Sequence, residues 1–189
     1  MNILGDIGNT ETKIFFVSKN NIILKKLIFL TKDLNQFKLD KLFISYKFDY
    51  KKLDKILFCS VVPKSFIIFK KFFSKKTKIK CYEVKDLNLK LLIKIKVNYK
   101  QVGSDRLTNA ISLVNNKNNF IVLDFGTATT FDVLIKNTYS GGVIAPGIRL
   151  SLDTLSDRAT LIPIIDLKKI KNVIGKDTIS AVRSGFFWG

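Results

Sequence analysis

The sequence predicts an α/β fold of two halves, each a mixed sheet flanked by helices. Three observations predict it. A strand–turn–strand unit with an acid and a glycine at its turn occurs twice, as Asp6-Ile7-Gly8-Asn9-Thr10 and as Asp124-Phe125-Gly126-Thr127-Ala128-Thr129-Thr130. Apolar strand-like runs alternate with helix-like segments between the two copies. The run Asn115-Asn116-Lys117-Asn118-Asn119 then breaks the chain just before the second copy. The expected domains are residues 1–116 and 117–189.

The opening reads as three strands, near residues 2–7, 12–18 and 22–30, with Lys19-Asn20-Asn21 as a turn. Residues 33–53 mix polar and apolar positions and are assigned a helix. The continuous apolar run Ile56-Leu57-Phe58-Cys59 marks a buried strand over 55–62. Pro63 opens a helix in which Phe66, Phe69 and Phe73 recur every three to four residues. Strands follow near 78–84 and 91–97, then a helix over 105–116. The second half repeats the beginning: strand, glycine turn, strand, a strand near 141–145, and a helix after Pro146-Gly147. Such a repeat suggests two halves whose turns face each other across a cleft.

Composition narrows the chemistry. The hydrophobic content of 47% excludes a largely disordered chain. No apolar stretch reaches the roughly 20 residues that span a bilayer. The N terminus enters the first motif at once, which leaves no room for a signal peptide and suggests a cytoplasmic protein. Cys59 and Cys81 have no metal-type or redox-type neighbours and read as reduced structural thiols. The net charge of +18 raises nucleic acid as a partner. Lysine supplies nearly all of it, scattered among Asn, Ile and Phe; Arg106, Arg149, Arg158 and Arg183 are the only arginines. Recognition of bases and phosphates favours arginine, so this pattern suits a general attraction for anionic ligands instead. Histidine is absent, which excludes Ser-His-Asp triads and His-ligated zinc. Proton transfer therefore falls to a carboxylate, lysine or tyrosine.

The paired turns suit a polyphosphate. Glycine lets backbone N–H groups approach phosphate oxygens, hydroxyls add hydrogen bonds, and aspartates hold a cation and its water. A pair of plain hairpin turns remains the alternative, since Asp and Gly serve tight turns on their own. Two copies with hydroxyls at the same offset favour the polyphosphate.

Five segments, in order, make the chain resemble type III pantothenate kinases of the acetate/sugar kinase–Hsc70–actin superfamily. They are Asp6-Ile7-Gly8-Asn9-Thr10-Glu11-Thr12-Lys13, Gly103-Ser104-Asp105-Arg106, the turn from Asp124 to Thr130, Gly141-Gly142 through Pro146-Gly147 with its continuation to Pro163, and Gly175 to Gly185. The resemblance implies two ribonuclease H-like halves and ATP-dependent phosphorylation of pantothenate to 4′-phosphopantothenate, the first step of coenzyme A synthesis. It implies a homodimer that needs Mg²⁺ and a monovalent cation, K⁺ or NH₄⁺. Asp6, Ile7, Gly8, Asn9, Thr10, Glu11, Thr12 and Lys13 would then form the first ATP loop, and Thr127 would contact ATP. Asp105 would accept the proton of the substrate hydroxyl. Tyr99, Gly103, Ser104, Asp105 and Arg106 would contact pantothenate, with Thr178 reaching it across the dimer interface. Asp124 would ligate the monovalent cation.

The chemistry of the residues agrees. Asp105 sits at an expected helix start, where the dipole favours an ionised carboxylate. Arg106 beside it can engage the pantothenate carboxylate through parallel hydrogen bonds. Ser104-Asp105 also fits a plain helix cap. The chain departs from the family pattern in two places. Only Lys100-Gln101-Val102 separates Tyr99 from Gly103, so Tyr99 is either the substrate tyrosine on a shortened loop or a packed strand-end residue. The chain also stops at Phe186-Phe187-Trp188-Gly189, where the family continues, so the second half is expected to be incomplete. Ser104, where alanine is common, is expected to be a harmless change. Two other readings compete: a different small-molecule kinase of the superfamily, and a regulator or nucleic-acid binder that keeps the ATP fold without catalysis.

Overall fold

The computed structural model describes residues 1–189. Its first sheet begins as an antiparallel meander of β1 (Asn2–Ile7), β2 (Glu11–Val17) and β3 (Ile23–Leu30). Two parallel strands follow on the other side of β1, namely β4 (Lys55–Ser60) and β5 (Cys81–Glu83), giving the order β3-β2-β1-β4-β5. Parallel strands need crossovers, and helices supply them. They are α1 (Gln36–Ser45) before β4 and α2 (Pro63–Lys76) before β5.

Alternation along β1 decides what reaches the site. Ile3, Gly5 and Ile7 are buried on one face, so Asp6 projects from the other. The ring of Phe58 lies against Gly5, where a Cβ would overlap it. The helical spacing of Phe66, Phe69 and Phe73 turns one face of α2 onto this sheet, with Phe58 and Phe69 centroids 4.5 Å apart. Burial of each such ring contributes about 1.5–3 kcal/mol. A second core joins Leu107 and Ala110 of α3 (Ser104–Ser112) to Ile93, Leu134 and Tyr139.

The second sheet has the order β6-β9-β8-β7, from β6 (Lys94–Ile95), β7 (Asn119–Phe125), β8 (Ala128–Ile135) and β9 (Thr138–Pro146). The short β6 runs parallel to β9, pairing Lys94 with Thr138 and Ile95 with Tyr139. By contacts the chain forms two compact units, Met1–Ile121 with Asp132–Gly141, and Val122–Phe131 with Gly142–Gly189. The second carries α4 (Ile148–Arg158) and α5 (Thr178–Trp188). Here the intervening stretch is held by Arg149, 3.0 Å from both Asp153 and Asp166.

The α/β class and the doubled meander are as the sequence predicts; several bounds are not. The helix expected over 33–53 is only Gln36–Ser45. Asn35 caps its start by accepting the Lys38 N–H at 2.8 Å, and Lys47, at φ 45°, turns the chain away after its end. The expected strand over 91–97 shrinks to two residues. A 3-10 turn at Leu89–Leu91 precedes it. The helix expected to reach residue 116 ends at Ser112. No strand follows α4.

Candidate active site

The first motif is a hairpin turn closed by the Gly8 N–H donating to the Glu11 carbonyl at 3.0 Å. Thr31 braces it from inside. Its hydroxyl donates to the Gly8 carbonyl at 2.7 Å, and the Thr12 hydroxyl, fully buried, lies 2.9 Å from the Thr31 oxygen. Thr12 and Ile7 are thus turned into the protein, while Asn9, Thr10 and Glu11 are exposed at the tip. Asp6 and Lys13 are directly paired across the strands, with Lys13 Nζ 3.9 Å from Asp6 Oδ2. An exposed pair of this length adds little stability, so a phosphate or hydrated cation can replace it cheaply. Sequence reading missed Thr31: a lone threonine after a strand gives no signal.

The ends of β1 and β4 carry α3 to this turn. Asp6 is in register with Cys59, and Ile7 with Ser60. Ser104, 1% exposed, accepts the Ser60 N–H at 2.9 Å and donates to the Ser60 carbonyl at 2.8 Å. The first turn of α3 is thereby tied to the strand beside Asp6. The Ser104 hydroxyl thus fills two backbone bonds that the alanine common at this position could not make. Both Asp6 and Asp105 act on the Cys59 thiol. Burial pushes it up to about 11, against hydrogen bonds from Ser104 and Thr108, and the two carboxylates add to the rise.

Asp105 is half-buried in the first turn of α3, where its Oδ1 accepts the Arg106 N–H at 2.8 Å. That bond orients the carboxylate at the positive end of the helix dipole. The Arg106 side chain runs to Asp132, a residue of β8 with no exposed surface. Nε donates to Asp132 Oδ1 at 2.7 Å; Nη2 lies 2.6 Å from the same oxygen, an ion pair too bent for a linear hydrogen bond. The Tyr139 hydroxyl donates to that oxygen at 2.6 Å. Burial disfavours the Arg106 charge, but the Asp132 hydrogen bond and charge outweigh it and raise the pKa. Burial, then the Asp132 bond and charge, holds the Tyr139 phenol protonated. Asp132 was not singled out in the sequence. Its only signal is an acid within the apolar run from Phe131 to Ile135 after the second motif.

Tyr99 donates its hydroxyl to the Lys85 carbonyl at 3.1 Å. Lys85 Nζ in turn lies 5.0 Å from the Tyr99 ring centre and donates to the Val102 carbonyl at 2.9 Å. Burial, then Glu83 and Asp86, raises the Tyr99 pKa. The loop leading to Gly103 is therefore braced, with Tyr99 packed at its start.

In the second unit, Asp124 and Thr127 are exposed at the β7–β8 turn, where the Gly126 N–H donates to the Ala128 carbonyl at 3.0 Å. Gly147 supports this turn: its N–H donates to the Thr127 carbonyl at 3.0 Å, and a Cβ there would overlap the Gly126 and Thr127 carbonyl oxygens. That contact gives the Pro146-Gly147 segment a role beyond a strand-to-helix turn. Thr178 is exposed as the first residue of α5, after the Asp177 cap, which accepts the Ser180 N–H at 2.9 Å. The helix turns a hydroxyl inward and leaves Ile179 and Ala181 outside. Ser184 is the buried residue and bonds the Val173 carbonyl, while Ile179 is 40% exposed.

The profile of the type III pantothenate kinase family matches residues 2–189. The chain is 66% identical over 189 residues to a type III pantothenate kinase of Pelagibacter ubique, covering 100% of this chain and 76% of the relative. It is 33% identical to one from Desulforapulum autotrophicum, covering 97% and 73% of the two. Among solved structures, a protein described as a Baf family transcriptional activator from Campylobacter jejuni superposes with a TM-score of 0.51 at 19% identity, over 97% of this chain and 72% of that one. That likeness concerns the fold alone.

Proposed function

The chain belongs to the type III pantothenate kinase family, and from that premise we propose that it transfers the γ-phosphoryl group of ATP to pantothenate, giving 4′-phosphopantothenate for coenzyme A synthesis. The observation that carries the reading is the pairing of Asp105 with Arg106 in the first turn of α3, tied through Ser104 and Ser60 to the Asp6 strand. The acceptor hydroxyl oxygen bonds to the γ-phosphorus as the bond to the ADP oxygen breaks, and Asp105 takes the hydroxyl proton. Such transfer needs positioning and charge neutralisation more than covalent help. Asn9, Thr10 and the backbone N–H groups of the first turn would hold phosphate oxygens, with Lys13 adding charge. Thr127 would do the same from the second turn. Gly103 and Arg106 would receive the acceptor, and Tyr99 would line its entry.

No group of three or more Cys, Asp or Glu side chains forms a ready metal cage. That suits Mg²⁺, which is commonly held by one or two carboxylates together with substrate phosphates and water. Asp6 would hold it through water, and Asp124 would hold K⁺ or NH₄⁺. These cations would offset the triphosphate charge. Replacing K⁺ by Na⁺ should then cut turnover strongly, and full turnover without K⁺ or NH₄⁺ would remove Asp124 from this role. The working unit in this reading is a homodimer in which Thr178 reaches the acceptor of the other subunit; the exposed Ile179, Phe187 and Trp188 of α5 support an apolar contact there. Mixed dimers of Asp105→Asn and Thr178→Ala chains should regain activity, and none would be regained if Thr178 served its own chain.

The test of the whole reading is ADP release with and without pantothenate, with the product identified by mass. Pantothenate-dependent ADP release with 4′-phosphopantothenate as product is expected. Transfer to another acceptor, with pantothenate inert, would replace it by a different kinase activity.

A further inference from the structure

We infer that Asp132, assisted by Tyr139, is a positioning residue that fixes the Arg106 guanidinium for the acceptor's carboxylate. The inference rests on the pantothenate reading and adds two residues to it. An arginine in the first turn of a helix is long and flexible, and its planar fork is useful only when its plane is set. Here one edge of the fork is occupied. Nε and Nη2 are 2.7 and 2.6 Å from one oxygen of Asp132, and the Tyr139 hydroxyl reaches that oxygen at 2.6 Å. Asp132 is completely buried and the Arg106 side chain is 13% exposed. Asp132 is on β8 and Tyr139 on β9, neighbouring strands of one sheet, so the anchor is held by the strand ladder.

A buried ion pair is weak evidence of stabilisation, because desolvation offsets the attraction. An apolar pair would fill the same space. Retaining charge beside Asp105 is more readily understood as orientation. The electrostatics cut the other way from a simple attraction. Asp132 cancels the Arg106 charge, so by charge alone it opposes an incoming carboxylate. If orientation dominates, removing the Asp132 charge weakens carboxylate binding. If charge dominates, removing it strengthens binding. The two accounts predict opposite signs.

The experiment compares pantothenate with pantothenol, in which a hydroxymethyl group replaces the carboxylate, by calorimetry on the purified chain with a non-hydrolysable ATP analogue present. In Asp132→Asn the affinity for pantothenate should fall by about 10–100-fold, by analogy with the loss of a residue that orients a metal-binding side chain. Pantothenol affinity should stay nearly constant. Tyr139→Phe, which keeps the ion pair, should shift the same ratio in the same direction by a smaller factor. If Asp132→Asn fails to fold by circular dichroism, Tyr139→Phe decides alone. A loss shared equally by both ligands would make the network merely structural. Unchanged or tighter pantothenate binding would make Asp132 a competitor; either result overturns the inference while leaving the proposed activity standing. A wild-type chain that binds neither ligand would overturn both.

Discussion

Replacing Ser104 by alanine should destabilise the protein by about 2 kcal/mol, although it removes one oxygen atom. Two backbone groups of Ser60 depend on that atom, its N–H at 2.9 Å and its carbonyl at 2.8 Å. They do not suffer equally. The Ser60 N–H has a second acceptor in Glu83 Oε1 at 3.4 Å, so part of its bonding survives. The carbonyl of half-buried Ser60 loses the Ser104 donor, and a buried polar group deprived of its partner costs about 1–3 kcal/mol. The residual N–H loss adds a fraction of an ordinary hydrogen bond. For a chain of this size each kcal/mol lowers Tm by about 2–4 °C, which sets an expected drop of about 4–8 °C. Thermal and urea unfolding of Ser104→Ala would be measured beside Ser112→Ala. Ser112, in the same helix, bonds only its own Asn109 carbonyl at an exposed site, and its loss should stay within about 0.5 kcal/mol. A Ser104→Ala variant as stable as Ser112→Ala would refute the idea that this hydroxyl ties α3 to β4.

Two further outcomes follow from the same kind of accounting. Gly147→Ala should push the second turn off its position, costing about 1–3 kcal/mol as overpacking and raising KM for ATP; a variant with normal KM and Tm would show that the turn has room. Burial raises both thiols, Cys59 to about 11 and Cys81 to about 12. The unfolded chain releases these protons near pH 9 while the folded chain keeps them, so stability should fall as pH rises from about 9 toward 11 and be unaffected by these groups near neutrality. A Cys59→Ala/Cys81→Ala chain should lose less stability over that window, and parallel curves would contradict the assignment.

What was legible in the sequence was whatever repeats or keeps a period. The doubled Asp-x-Gly turns fell on β1–β2 and β7–β8 because strand, glycine and strand must follow one another to make a hairpin. The Phe66–Phe69–Phe73 spacing located α2 for the same reason. Contacts between residues distant in the chain were not legible. Thr31 beneath the first turn, Asp132 beneath Arg106 and Gly147 beneath the second turn each act through a partner brought near only by folding. The 33–53 segment failed because Asn35 and Lys47, not the apolar pattern, set the ends of α1. The inward face of α5 was not legible because Gly175 and Val173 pack on it from outside its own period: a Cβ at Gly175 would overlap Ala181, and Val173 accepts from Ser184.

The central claim is that Asp105 accepts the acceptor's proton during phosphoryl transfer to pantothenate. Its most direct measurement is single-turnover formation of 4′-phosphopantothenate by Asp105→Asn, at saturating ATP and pantothenate. The rate should fall by about 10²–10⁴-fold, the usual contribution of a positioned general base, while ATP affinity and Tm stay near those of the wild type. A rate within a few-fold of wild type would contradict the account and move proton transfer elsewhere.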